Sequence, residues 1–116
     1  MTIRECYEKM GSDYSGLLGR LGSEMIIAKF AVKFLDDPSF SQLESAVAEG
    51  RAEDAFRAAH TLKGVCLNLG FDRLYEVSSA LTEKFRGCQL VDYEELLRQV
   101  EEQYKMTTDI LKEYKG

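Results

Sequence analysis

The sequence predicts an all-α protein, an up-down bundle of antiparallel helices with one or two short extra helices at the N-terminus. Three observations carry this. Apolar residues recur at helical spacing along most of the chain, and strand-like alternation is almost absent. The 116 residues include a single proline, as chains built mainly of helix interiors require. Glycines fall mostly where the periodic runs stop, and the links between runs are short, which makes neighbouring helices antiparallel.

The elements follow in order. Residues 1–22 form an N-terminal segment with a short helix near 3–9, a break at Gly11 and Ser12, and a short turn around 14–20. Ser23 is an N-cap for the run Glu24–Asp36, whose apolar stripe is Ile26, Ile27, Phe30, Ala31, Phe34 and Leu35. Asp37-Pro38 punctuates the chain. Proline suits the first position of a helix, and the residue before it resists the α region, so the segment 38–49 either starts anew or follows a kink. Gly50 ends it. The next helix spans 51–69 and stops at Gly70; another spans 72–86, stops at Gly87, and turns Leu74, Val77, Leu81 and Phe85 inward. The last begins at Asp92, with Glu95 as its capping-box partner, and its stripe is Leu96, Leu97, Val100, Tyr104, Ile110 or Leu111, and Tyr114. Residues 1–116 make one domain, with 23–114 as the bundle.

Composition narrows the function classes. With 20 acidic and 15 basic residues the net charge is −5, which argues against nucleic acid or an anionic membrane as the main partner. Cys6, Cys66 and Cys88 are odd in number and form no CxxC pair, so neither a disulfide framework nor a zinc motif is indicated, and a reducing, cytoplasmic setting is expected. The N-terminus carries acids and lacks an apolar core of the secretory type. No run approaches the length of a membrane span.

The helix 51–69 carries the chemistry. At about 100° per residue, Ala55, Ala58, Leu62, Val65, Cys66 and Leu69 cluster within roughly 60° of the pole opposite His60, the chain's only histidine. His60 therefore centres the outward face. Phe56 lies one turn before it, Leu67 two turns after, Lys63 and Gly64 at the third and fourth positions beyond; Arg57 and Asn68 border the same face. Phe56 and Leu67 are either scattered surface residues, a patch covered by residues 1–20, or a docking rim. Gly64 costs its helix about 1 kcal/mol against alanine and points away from the core, which suits the close approach of another backbone or domain. Imidazole has an unperturbed pKa of about 6.5, so a solvated ring is largely neutral near pH 7 and can attack phosphorus to form a covalent intermediate. Phosphoryl transfer needs positive charge near the equatorial oxygens and an in-line path. Lys63 supplies the first and an exposed face the second.

The stretch Ala59-His60-Thr61-Leu62-Lys63-Gly64-Val65-Cys66-Leu67-Asn68-Leu69-Gly70 resembles the signature of the histidine-containing phosphotransfer (HPt) domain family, a helical His-x-x-Lys-Gly pattern closed by a glycine. The Phe-Leu-Asp-Asp-Pro segment before it and the two helices after it are also similar to that family's layout, over roughly 23–114. The resemblance implies an antiparallel up-down four-helix bundle. It implies His60 as phosphoacceptor through Nε2, Lys63 beside the phosphate, and Gly64 admitting the partner, with Phe56, Arg57, Leu67 and Asn68 as docking residues. It implies a phosphorelay carrier without kinase activity, which exchanges a phosphoryl group with the aspartate of a response regulator's or hybrid histidine kinase's receiver domain. It implies no cofactor on the chain itself, with Mg²⁺ expected on the receiver. A monomer is expected, and the initial Met1 favours a free-standing protein.

Other readings fit less well. No glycine-rich nucleotide loop and no Ser/His/Asp set is present, and Cys66 lies about 120° around the helix from His60. A histidine kinase would need an ATP-binding domain for which this chain has no room. The alternative is an HPt-like interaction module that binds a receiver or kinase without transferring phosphate.

Overall fold

The computed structural model describes residues 1–116. Its helices are α1 (Ile3–Met10), α2 (Tyr14–Leu21), α3 (Glu24–Lys33, continued by a 3₁₀ turn over Phe34–Asp36), α4 (Ser39–Ala48), α5 (Ala52–Leu69), α6 (Asp72–Phe85) and α7 (Glu94–Lys115). There are no strands, and the helices pack as a bundle. Helices α5 and α6, joined through Gly70 and Phe71 alone, fold back on each other; α4 packs along α5 and α7 along α6. Helix α1 lies against α7, and α3 fills the space between α1, α2, α5 and α7.

Local chemistry explains the starts and stops. Thr2 and Glu5 form a reciprocal capping box on α1: the Glu5 N–H donates to Thr2 Oγ1 at 3.1 Å, and the Thr2 N–H donates to Glu5 Oε1 at 3.0 Å. That hydrogen bonding holds the Glu5 carboxyl below its usual range. Residues 14–21 are a two-turn helix rather than a turn. Asp13 Oδ1 accepts the Gly16 N–H at 3.0 Å, and Gly22, at φ 77°, closes the other end. Ser23 caps α3 as expected, accepting the Ile26 N–H.

Around Pro38 the chain starts a new helix and does not kink an old one. The last residues of the Glu24–Asp36 run tighten into the 3₁₀ turn, and Asp37 is extended at ψ 129°, as the residue before proline prefers. Pro38 stands one position before α4, and Asp37 Oδ1 accepts the Ser39 N–H at 2.9 Å. The Asp92–Glu95 capping box does not form. Asp92 sits at φ 49°, α7 begins two residues later, and the Glu95 carboxylate is taken by Arg98. The box fails because it is out of register with the helix start.

The core is one cluster of 22 buried apolar residues running from Ile3 to Leu111. Aromatic rings tie it together: Tyr7 meets Tyr14 and Phe71, Phe34 meets Phe71 edge-on at 5.0 Å, and Tyr104 stacks on Phe40 at 3.9 Å. Of the α3 stripe, Ile27, Ala31 and Phe34 are buried and Leu35 half-buried, whereas Ile26 and Phe30 face solvent. Six apolar residues spread round the helix exceed the width of the face that α1, α2 and α7 can cover. On α6, Val77 is only half-buried, and Ser78 and Thr82 occupy the buried positions beside Leu74, Leu81 and Phe85. Thr82 satisfies its hydroxyl by donating to the Ser78 carbonyl at 2.7 Å.

Candidate phosphotransfer site on helix α5

Helix α5 holds the site rigidly because its inner face is fully committed. Ala55, Ala58, Ala59, Leu62 and Cys66 are buried, with Val65 and Leu69 half-buried at its margin. The small alanines on the first turns let α4 and α6 come close on either side. Cys66 points into the core, where burial pushes its thiol well above the ordinary range, so it is no partner for the imidazole. Gly70 ends the helix at φ 71°. A side chain there would also crowd Leu17 of α2, whose Cδ2 would lie 3.1 Å from a Cβ, so the stop and the docking of α2 need the same glycine.

On the outer face, His60 is exposed. The Phe56 ring lies beside it, centroid to centroid 6.2 Å. Arg57 is exposed and pairs with Glu53 one turn back. Lys63 and Gly64 are half-buried. A Cβ built on Gly64 would meet no atom within 4 Å, so nothing inside the chain requires a glycine there. Leu67 is 52% exposed, and Asn68 is exposed. The structure thus brings Phe56, Arg57 and His60 together in one shallow cleft of about 330 Å³ that also includes Thr61. Asn68 belongs to a separate cleft of about 560 Å³ between α3 and α5, lined by Phe30, Lys33 and Val65 among others.

The N-terminal segment does not cover this face. Arg20 reaches the Leu67 carbonyl oxygen at 3.5 Å but leaves the Leu67 side chain in solvent. Phe56 is half-buried beneath a different residue, Arg86, whose guanidinium carbon lies 5.4 Å from the ring centroid.

The single-helix pattern of the sequence does not reveal Arg86 as a neighbour of this site. Arg86 stands about as far beyond the α5–α6 turn as Phe56 stands before it, so folding the hairpin back on itself would have brought the two side by side. Phe30, expected in the core stripe, is instead 43% exposed, and Lys33 lies 5.8 Å from its ring centroid.

The outer face of α5 thus presents an exposed imidazole, cationic side chains near it and an unobstructed glycine one turn away. The family model of the Hpt domain matches residues 37–109. The chain belongs to the Hpt domain family. Searches of curated proteins and of solved structures find no match. The matched span opens at Asp37, just before α4, and closes within α7, so it contains the whole of α5 and α6. Hpt domains take part in histidine phosphotransfer in two-component phosphorelays, as phosphocarriers that interact with receiver domains and histidine kinases. No helix of this Hpt protein is long and apolar enough to cross a membrane.

Proposed function

We propose that His60 is the phosphorylated residue of this Hpt protein and that it exchanges its phosphoryl group with the aspartate of a receiver domain, on a response regulator or a hybrid kinase, in the cytoplasm. The observation that carries the reading is the exposure of His60 at the centre of the outer face of α5, as an in-line approach requires. In the forward step His60 Nε2 attacks the phosphorus of the aspartyl phosphate. The N–P bond forms as the acyl O–P bond breaks, and the carboxylate departs with the bonding pair. The reverse step regenerates imidazole. Lys63, one turn on, places positive charge near the phosphoryl oxygens, and Gly64 lets the receiver's loops approach the ring. Phe56, Arg57, Leu67 and Asn68 contact the receiver around them. The Mg²⁺ that neutralises the transferring group is held by the receiver, and this chain contributes the acceptor and its electrostatic surroundings.

The test uses a receiver domain phosphorylated by a small-molecule donor, incubated with the chain and Mg²⁺. The expected product is acid-labile, base-stable label on the wild-type chain and none on His60→Gln. Label that survives in His60→Gln would sink the assignment. An unlabelled wild-type chain that still binds the receiver would make the protein an interaction module.

A further inference from the structure

We propose that Arg86 is a phosphate-binding residue of this site, parked on Glu83 while His60 is unmodified and drawn across the Phe56 ring to the phosphoryl group once His60 carries one. The inference rests on the reading that His60 is phosphorylated.

Four observations converge on it. Arg86 lines the same cleft as His60, Phe56, Arg57 and Thr61. Its guanidinium sits over the Phe56 ring, and that ring also neighbours the imidazole, so Phe56 forms a platform shared by the two. Arg86 is held in place by a bidentate pair with Glu83, Nε to Oε2 at 2.9 Å and Nη2 to Oε1 at 2.8 Å. Finally, Glu83 is influenced by both of the site's cations: its carboxyl is held below the usual range by the Arg86 hydrogen bonds first, and Lys63 adds to the effect.

The balance of charge decides which anion wins. Both partners of the Glu83–Arg86 pair are 57% exposed, and an exposed pair of this kind contributes little to stability. It is therefore cheap to exchange. A phosphoryl group carries a charge of about −1.5 to −2 and three strong acceptor oxygens, against one charge and two oxygens on Glu83. The planar guanidinium fork suits either anion, and the ring supports it along the way. Exchange leaves Glu83 exposed to solvent. Phosphorylation would thus remodel the side chains at the end of α6 without moving a helix.

The test phosphorylates the full chain chemically, with no receiver present. Phosphoramidate serves as donor: His60 attacks phosphorus, the N–P bond to ammonia breaks, and ammonia leaves. Phosphorus NMR then follows the second ionisation of the phosphoryl group with pH. In the wild type a nearby guanidinium lowers that midpoint, so Arg86→Ala should raise it by about 0.5 pH unit or more. Arg86→Lys should fall between the two, because it keeps the charge without the fork. Glu83→Gln should match or undercut the wild type, since it removes the competing anion. These residues are exposed and their variants are expected to fold; unchanged circular dichroism checks it. Equal midpoints in wild type and Arg86→Ala would overturn the inference, as would a raised midpoint in Glu83→Gln. The same phosphorylated samples, given a receiver and Mg²⁺, test the parent reading separately. Transfer with equal midpoints refutes only the Arg86 role, and no transfer with shifted midpoints refutes only the carrier function. Failure of His60 to take phosphate at all refutes both.

Discussion

The hydroxyl of Tyr7 donates a 2.7 Å hydrogen bond to the carbonyl oxygen of Leu69, tying the first helix to the last turn of the helix that bears His60. The contact matters because Leu69 is among the last residues of α5, whose carbonyls have no partner within the helix. Tyr7 is wholly buried and brings its hydroxyl to a carbonyl at the half-buried end of α5. Tyr7→Phe should therefore cost about 1 kcal/mol in urea denaturation, with phosphoryl transfer unchanged because the site lies elsewhere on α5. There is also a pH signature. Burial pushes the Tyr7 phenol well above its ordinary range. The folded state then keeps the proton where the unfolded state releases it, so stability falls as pH rises past about 10. The Tyr7→Phe variant should lose less stability across that range, and an identical alkaline fall in both proteins would refute the account.

Gly64 separates folding from function. Because a Cβ at this position meets nothing within the chain, Gly64→Ala should stabilise the protein by about 0.5–1 kcal/mol through helix propensity and reduced freedom of the unfolded chain. Gly64→Gln should fold equally well and slow transfer from a receiver by tenfold or so, the cost of about 1.4 kcal/mol in the docked complex. Stopped transfer in the alanine variant together with lost stability would show that the glycine serves the fold after all.

Leu67 and Phe56 should respond differently to the same charge. Leu67 is largely exposed, so Leu67→Glu should change stability by less than about 0.5 kcal/mol while weakening receiver binding. Phe56 is half-buried and carries Arg86 on its face. Phe56→Glu should cost stability as well, about 1 kcal/mol or more, and its added carboxylate would compete for Arg86. Denaturation midpoints and transfer rates measured on both variants distinguish a docking residue from one that also supports the site. Equal stability losses would place Leu67 in the packed part of the fold.

What was legible in the sequence follows from length and period. Helix α5 runs for 18 residues, enough turns for a helical wheel to separate the alanine, leucine and cysteine face from His60, and Gly70 marks its end. Helix α2 was obscured because its glycines lower helix propensity, and only the Asp13 cap and the Gly22 stop betray it. Ile26 and Phe30 could not be sorted from Ile27 and Ala31 on one helix, since the face that is buried is chosen by α1, α2 and α7 together. Arg86 lay beyond reach for the same reason. Its meeting with Phe56 crosses the α5–α6 hairpin, and a wheel drawn for a single helix contains no such contact.

Glu44 on α4 is the one carboxylate held above its ordinary range, by partial desolvation first and then by the neighbouring Glu101 carboxyl on α7. The sign follows directly. An acid with a raised folded pKa binds its proton more tightly in the native state, so the native state is penalised when both carboxylates are ionised, and the penalty lifts as pH falls through the folded value toward about 4.3. Glu44→Gln removes one of the two charges and keeps a hydrogen-bonding group. It should stabilise the protein at pH 7, by a few tenths of a kcal/mol because Glu44 is mostly solvated and screened, and the gain should shrink toward zero below about pH 4. Urea denaturation at the two pH values measures it. A variant destabilised at pH 7 would mean that the pair supports the α4–α7 contact rather than straining it.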